Sequence, residues 1–446
     1  MAKRKAKVSL NDAEDNGAAN SHSDRRDAIF AATLKNLAKS SDGDELSFMR
    51  HEDTLARCGG MAMPSLCLRW LFCQDTLPLG RVLTLSGLFR SNKTALSFEI
   101  SRWAIIHHGI TTYNSVEEKD SPDMRTAIFR HNPDWLRYLR VLECPYQETW
   151  QGSVAFELEN SKKQSKVAMD IPVVSIVDSV AAAPPKTEAA KFLTDKAGAG
   201  ARGYATVALL NSDWLKHIVH RVNEGPNLLL LIQHSTEQPV DGIPGATVRK
   251  QKGGMEVGFA KTMALEMTRV KDLPETDSGG GAVIEIKCTK NSLGPTNRKI
   301  TVTVRWWWEM NPSTGMPEQH YVWDWHDASM ALLLSFETAK GRSNTWKELK
   351  NICDLHGESR RRVWSKALGI PSSSPVSYRE AMEILEYDHP ELLIPIYNLL
   401  HISRRPILLP GADLREIWDG KVPVSNVLPP LPYAREPVLG KGSYDE

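Results

Sequence analysis

Residues 87 to 94 read Gly-Leu-Phe-Arg-Ser-Asn-Lys-Thr, and their types and spacing suit a loop that wraps a phosphate group. Gly87 allows a close backbone approach, Leu88, Phe89, Arg90 and Ser91 offer backbone N–H groups, Lys93 can reach outer phosphate oxygens, and the Thr94 hydroxyl is a hard oxygen ligand for Mg²⁺. One position departs from the pattern G-x-x-x-x-G-K-S/T, because Asn92 stands where a second glycine is expected. Asn is the side-chain-bearing residue most tolerant of positive φ, so the loop can close, with a side chain narrowing the approach to phosphate. Phosphate binding should survive this change, and turnover should be slow.

Two acidic strand ends could complete the chemistry. The apolar run Ile171 to Val177 ends in Asp178. A carboxylate at that end of a strand, beside a phosphate loop, suits the shell of a Mg²⁺ ion, and it equally suits a cap for the next turn. The strand-like Thr111 to Asn114 runs into Ser115-Val116-Glu117-Glu118, where a carboxylate could polarise an attacking water. A solvated acidic turn explains that spacing almost as well.

These groups need a strand before the phosphate loop and a helix after it. Val82 to Ser86 is strand-like, and Ala95 to Ile106 carries helical spacing at Leu96, Ile100, Trp103 and Ala104. His107 and His108 close that helix, where positive charge suits the negative end of the dipole. From Pro64 to about Arg269 strand-like and helix-like segments alternate, the pattern of a largely parallel sheet covered by helices. Further strands are expected at Val173 to Val177, Leu228 to Ile232 and Thr262 to Thr268, then at Ala282 to Thr289 and Lys299 to Trp307 as antiparallel additions. Thr194 to Gly203 and Ser235 to Gly254 read as mobile loops. Helices are expected at Ala328 to Phe336, Trp346 to His356, Arg360 to Leu368 and Tyr378 to Leu385. The fold class is therefore α/β, divided into a flexible arm (1–23), an N-terminal helical element with helix Asp24 to Ala38 (24–63), the core (64–310), a mainly helical C-terminal domain (311–405) and a Pro-rich tail (406–446).

Bulk properties exclude several classes. No apolar run approaches the ~20 residues that cross a bilayer. Lysines and arginines number 55 against 54 acids, a formal net charge of +1, so nucleic-acid affinity must come from local patches. The six cysteines show neither C-x-x-C nor zinc spacing, which fits buried free thiols in a reducing compartment. The tract Trp306 to Trp308, with Trp323 and Trp325, fits a sheet packed on the C-terminal helices better than a base-stacking surface.

Four ordered blocks resemble the bacterial RecA recombinase family over roughly residues 25 to 310. They are L-P-L-G-R leading into the phosphate loop from Leu77, I-V-D-S-V-A-A-A-P-P-K-T-E from Ile176, L-L-L-L-I-Q-H from Leu228, and K-C-T-K-N-S-L-G-P from Lys287. The resemblance implies a RecA-like P-loop ATPase core that uses ATP and Mg²⁺. In it Lys93 and Thr94 hold phosphate and metal, and Asp178 supports the metal shell. Glu117, with Glu118 as the alternative, activates water, and Gln233 senses the γ-phosphate. It implies that Lys290 reaches ATP bound by a neighbouring subunit, with Ser292 where a second lysine is expected, and that Asp120 and Trp306 lie near the adenine. A first DNA-binding loop would carry Lys196 and Arg202, and a second Arg249, Lys250, Lys252, Gly253 and Gly254. Flexible basic loops suit single-stranded DNA because they can follow phosphates without reading sequence.

By this resemblance the chain is expected to form a homo-oligomeric helical filament on single-stranded DNA. Its task is pairing with homologous duplex DNA and strand exchange, in the bacterial cytoplasm and away from membranes. The departures at Asn92 and Ser292 imply slow DNA-stimulated hydrolysis and a divergent bacteriophage member, RecA/UvsX-like, acting in an infected host cell. A hydrolysis-defective protein that coats single-stranded DNA, and a ring-forming helicase of the same fold, are the alternatives.

Overall fold

The apolar run Leu228 to Ile232 is buried at every position, each side chain showing 0 % exposure, as a strand covered on both faces requires. In the computed structural model the described residues are 59–402, apart from 108, 118–120, 130–132, 165–170, 195–199, 240–246, 252–254, 277–278, 313, 339–342 and 358–361. The expected N-terminal arm, the helix Asp24 to Ala38 and the Pro-rich tail lie outside them.

The described chain begins with β1 (Gly60–Ala62), α1 (Leu66–Phe72) and β2 (Thr76–Pro78), the two strands pairing antiparallel. Next come β3 (Arg81–Gly87), α2 (Lys93–Ile106), β4 (Ile110–Ser115), α3 (Pro122–Phe129), β5 (Leu139–Glu143), α4 (Gln147–Gln164) and β6 (Val173–Asp178). They are followed by α5 (Lys186–Thr194), α6 (Gly200–Val222), β7 (Asn227–Pro239), β8 (Thr247–Gln251), α7 (Met255–Ala260) and β9 (Met263–Thr276). The long antiparallel strands β10 (Gly279–Asn291), β11 (Lys299–Met310) and β12 (Pro317–Trp323) complete the large sheet. The C-terminal part holds α8 (Trp325–Thr338), α9 (Ser343–Cys353), β13 (Leu355–His356), β14 (Arg362–Ser365), β15 (Val376–Ser377), α10 (Tyr378–Tyr387) and α11 (Leu393–Leu399).

Among the described residues the large sheet has ten strands, in the order β12-β11-β10-β9-β3-β7-β6-β4-β5, with β8 added to β7. From β9 to β5 every neighbouring pair is parallel. Parallel pairing brings the carboxyl ends of these strands to one edge. Ser115 lies opposite Asp178, and Gly87 opposite His234. Helices cover both faces of the parallel part. Leu83, Leu85, Ile176 and Leu230 pack on the α2 side, while Val82, Val177, Leu229 and Leu231 pack with Trp150, Leu215 and Val222 of α4 and α6.

Helix α2 is buried nearly all round, charged residues included. Glu99 is satisfied there by Arg102 (2.7 and 3.0 Å), by Trp103 Nε1 (3.1 Å) and by Trp325 Nε1 (3.4 Å). Trp325 also packs edge-on to Trp103 at 6.2 Å and lies nearly parallel to Trp323 at 5.2 Å. Trp306 stacks on Tyr321 and Trp307 on His320, so packing within the sheet and against α8 accounts for most of these rings, as expected. Trp308 remains 43 % exposed. The five described cysteines are free and buried, again as expected.

Several local expectations are corrected. The stretch Thr194 to Gly203 is partly helical, with Thr194 closing α5 and Arg202 inside α6. Ser235 to Gly254 contains ladder rather than open loop, since β7 continues to Pro239 and pairs with β8. The helix expected at Arg360 to Leu368 is replaced, among the described residues, by strand β14 at Arg362–Ser365 between β13 and β15, with Val363 and Ser365 buried and Arg362 and Trp364 not, a period of two. His107 closes α2, but its Nε2 accepts the Ala62 N–H at 3.0 Å, a bond that requires an unprotonated nitrogen rather than an imidazolium.

The C-terminal elements share the α2-side core, to which Cys353, Val363, Leu385, Leu393 and Tyr397 contribute. A buried polar knot fastens them. Glu386 of α10, only 1 % exposed, accepts the Leu66 N–H at the start of α1 (2.6 Å) and Ser329 Oγ (3.2 Å), and pairs with His326 Nδ1 at 2.5 Å. It supplies the acceptor that the first turn of α1 lacks, at the positive end of that helix. Burial alone would pull the His326 imidazole down. The hydrogen bond and charge of Glu386, with Glu383 and Asp324, instead raise it above its ordinary 6.5. The stability contributed by protonated His326 is thus complete below pH 6.5 and is lost as pH rises through the raised folded value. Glu386→Ala should cost roughly 3–5 kcal/mol in urea denaturation and remove that pH dependence. A variant within about 1 kcal/mol of the native chain would show the pair to be energetically idle.

Candidate active site

The phosphate loop leaves the central strand β3 at Gly87. A Cβ there would collide with the Met267 carbonyl of β9 and lie 2.7 Å from Ser91 Oγ, so the close approach requires glycine. Downstream, Arg90 and Asn92 both turn with φ of 61°. Asn92 is the N-cap of α2 in the left-handed conformation, which is why its tolerance of positive φ matters. Its Nδ2 is buried with no hydrogen-bond partner among the described residues. Asn92→Ala should therefore destabilise the chain by about 1 kcal/mol, while Asn92→Gly should match or exceed the native stability. Equal urea midpoints for the alanine and glycine variants would contradict a strained left-handed position.

Lys93, at the first turn of α2, folds back over the loop. Its ammonium donates to the carbonyls of Gly87 (3.1 Å) and Leu88 (2.8 Å) and to Ser91 Oγ (3.1 Å). Burial lowers its pKa, and the charges of Asp178 and Glu117 oppose that shift. An incoming phosphate competes with the loop carbonyls for these N–H donors. Phe89 stands 67 % exposed at the loop tip with the Arg90 guanidinium over its ring. Arg269 donates to the Arg90 carbonyl at 3.5 Å and sits 5.9 Å from the ring centre of Trp306, linking the loop to that tryptophan.

Thr94 Oγ1 donates to Asp178 Oδ2 at 2.6 Å, and Tyr113 OH donates to the same oxygen at 2.8 Å. Burial raises the Asp178 pKa, helped by the charge of Glu117, against the lowering effect of the two hydroxyls. Among the described residues no cluster of three or more His, Cys, Asp or Glu side chains could hold a metal by itself. A hydroxyl and a carboxylate side by side at a phosphate loop fit Mg²⁺, which takes few protein oxygens and completes its shell with phosphate and water.

Glu117 lies next to this pair. Its Oε1 accepts Ser179 Oγ at 2.5 Å and meets His234 Nε2 at 2.6 Å. The strand ends are also joined through the backbone, with Val116 N–H on the Asp178 carbonyl (2.8 Å) and Val180 N–H on that of Ile232 (3.1 Å). Gln233 is 1 % exposed, opposite Ser86 in the β3–β7 ladder. The next residue, His234, is the one that contacts Glu117. Tyr113, Ser179 and His234 were not singled out from the sequence, although each adjoins or faces a strand end that was.

Other expected site residues stand elsewhere. Lys290 donates to the Gly258 carbonyl of α7 at 3.1 Å, and the pKa of Lys261 is lowered by its own burial and by the charge of Lys290. Ser292 is joined by its N–H to the Thr262 carbonyl at 2.9 Å. Arg249 and Lys250 lie on β8 opposite Glu237 and Thr236. Glu118, Asp120, Lys196, Lys252, Gly253 and Gly254 lie outside the described residues.

No family model matches the chain. It is 23 % identical over 288 residues to "Protein RecA" of Rhodopseudomonas palustris, covering 63 % of this chain and 74 % of that protein. It is 26 % identical over 222 residues to "Protein RecA" of Aquifex pyrophilus, covering 49 % of this chain and 57 % of that one. "DNA repair protein recA homolog 3, mitochondrial" of Arabidopsis thaliana is 26 % identical over 223 residues, with 50 % of this chain and 47 % of that protein covered. The chain thus spans about half the length of the latter two. Distant as they are, these similarities fall on a chain with a large, mostly parallel sheet consistent with a RecA-like core, and they support its membership of the RecA family.

Proposed function

We propose that this chain is an ATP-dependent recombinase that assembles head to tail into a helical filament on single-stranded DNA and holds the strand for pairing with a homologous duplex. The observation that carries the reading is the Thr94–Asp178 hydrogen bond at 2.6 Å beside a phosphate loop whose lysine is already folded over it. Loop N–H groups and Lys93 bind and orient the phosphates of ATP. Thr94 and Asp178 would hold Mg²⁺, which when bound neutralises charge on the phosphate oxygens. Glu117 takes a proton from the attacking water, and Lys93 stabilises the charge that develops as the outer phosphoryl group departs.

Filament growth in this reading uses a heterologous interface that does not close on itself. Lys290 would face the neighbouring subunit's ATP, and the basic residues Arg202, Arg249 and Lys250, with Lys196 and Lys252, would meet DNA phosphates. The departures at Asn92 and Ser292 favour a bacteriophage member working in the cytoplasm of an infected bacterium. Among the described residues no helix is long and apolar enough to cross a membrane. One observation favours a second reading, a nucleotide-gated coat for single-stranded DNA with little hydrolysis. The Asn92 side chain stands where the loop pattern expects glycine, and its buried Nδ2 has no hydrogen-bond partner among the described residues.

Steady-state ATP hydrolysis with and without single-stranded DNA, with negative-stain images of the same samples, tests the proposal. DNA-stimulated turnover with open filaments supports it. Filaments without turnover favour the coat, and closed rings that unwind duplex favour a helicase.

A further inference from the structure

The geometry points to His234 as the positioning residue of Glu117, a role that rests on the ATPase reading and extends it to a side chain outside the expected set. Glu117 sits two residues beyond the end of β4, in a bend where its backbone is no longer held by the ladder. A flexible carboxylate there would sample several rotamers, and a general base must be held within hydrogen-bond reach of its water. Two side chains supply the restraint, Ser179 Oγ at 2.5 Å and His234 Nε2 at 2.6 Å, and both converge on Oε1. An ionised carboxylate can only accept, so His234 Nε2 carries the hydrogen.

The anchor of His234 makes it more than one contact among several. Its backbone pairs in register with Gly87, the residue that opens the phosphate loop. The bond from His234 to Glu117 therefore spans from the ladder bearing the phosphate loop to the carboxylate that faces the water, through one rigid imidazole. Ser179, which follows Asp178 directly in the chain, restrains the same oxygen. With side-chain exposures of 27 % for His234 and 13 % for Glu117, the pair is partly exposed, open enough for water and shielded enough for the hydrogen bond to count. Gln233, one residue earlier, projects from β7 in the alternate direction of the pleat.

The test uses the full chain and two readouts. Without nucleotide, ring signals of ¹⁵N-labelled histidine, assigned to His234 by their loss in His234→Gln, should move in Glu117→Gln, where an amide replaces the carboxylate. With ATP, His234→Ala should lower kcat at least about tenfold while KM changes less than about twofold, because an orienting contact acts on the transition state. His234→Gln keeps an N–H donor on a side chain of similar reach and should recover most of that turnover at unchanged thermal stability. Native kcat in His234→Ala, unmoved His234 signals in Glu117→Gln, or a glutamine variant as slow as the alanine one would each overturn the assignment. If the native chain shows no turnover, the ATPase reading fails by itself, and the histidine signals still decide whether His234 and Glu117 are joined.

Discussion

Lys93→Ala is expected to abolish ATP turnover, with kcat/KM falling by about 10²–10³-fold or more, the effect of removing one preorganised donor from developing charge. The expectation follows from placement. The ammonium is buried, it already bonds two loop carbonyls and a hydroxyl, and the charges of Asp178 and Glu117 favour its protonated form against burial. Because in the proposed function the same group would also hold ground-state phosphate, binding should weaken as well, which titration with a fluorescent ATP analogue would read. Retention of more than about a tenth of native turnover would place the catalytic charge on another residue.

The second large effect is expected at Glu117. Glu117→Gln preserves size and can still bond Ser179, yet it removes the base, so kcat should fall by roughly 10²–10⁴-fold with nucleotide binding largely intact. Glu118→Gln provides the comparison, since the sequence offers both carboxylates at the end of the same strand. Glu117 contacts Ser179 and His234, and Glu118 lies outside the described residues. Equal turnover in the two variants, or a greater loss in Glu118→Gln, would sink the assignment of the base to Glu117.

The parallel strands and the phosphate loop were legible because their signals are local. A run such as Leu228 to Ile232 has no reason to be apolar at every position unless both faces are covered, and Asn92 announced a left-handed turn by its residue type. What escaped the sequence depends on register and distance. Nothing in the order of residues tells that the Tyr113 hydroxyl reaches Asp178, or that the His234 ring meets Glu117, because the facing of side chains becomes definite only when β7 pairs with β3. The basic segments misled for a related reason. Gly, Lys and Arg between apolar runs look like open loop, yet pairing with β7 draws Thr247–Gln251 into a strand, and Gly200 begins a helix that runs to Val222. At Arg362–Ser365 the run was too short for its period to separate strand from helix.

The buried ring triplet gives the chain a built-in optical gauge. Trp103 belongs to the helix that begins at the phosphate loop, and Trp323 and Trp325 flank the passage from the sheet into the C-terminal helices. With centroids 5.2 and 6.2 Å apart and fixed mutual angles of 5° and 63°, their excited states are coupled. Near-ultraviolet circular dichroism therefore reports on the junction between the parallel-sheet core and the C-terminal part without any attached dye, and a change in how α2 seats against α8 becomes visible as light.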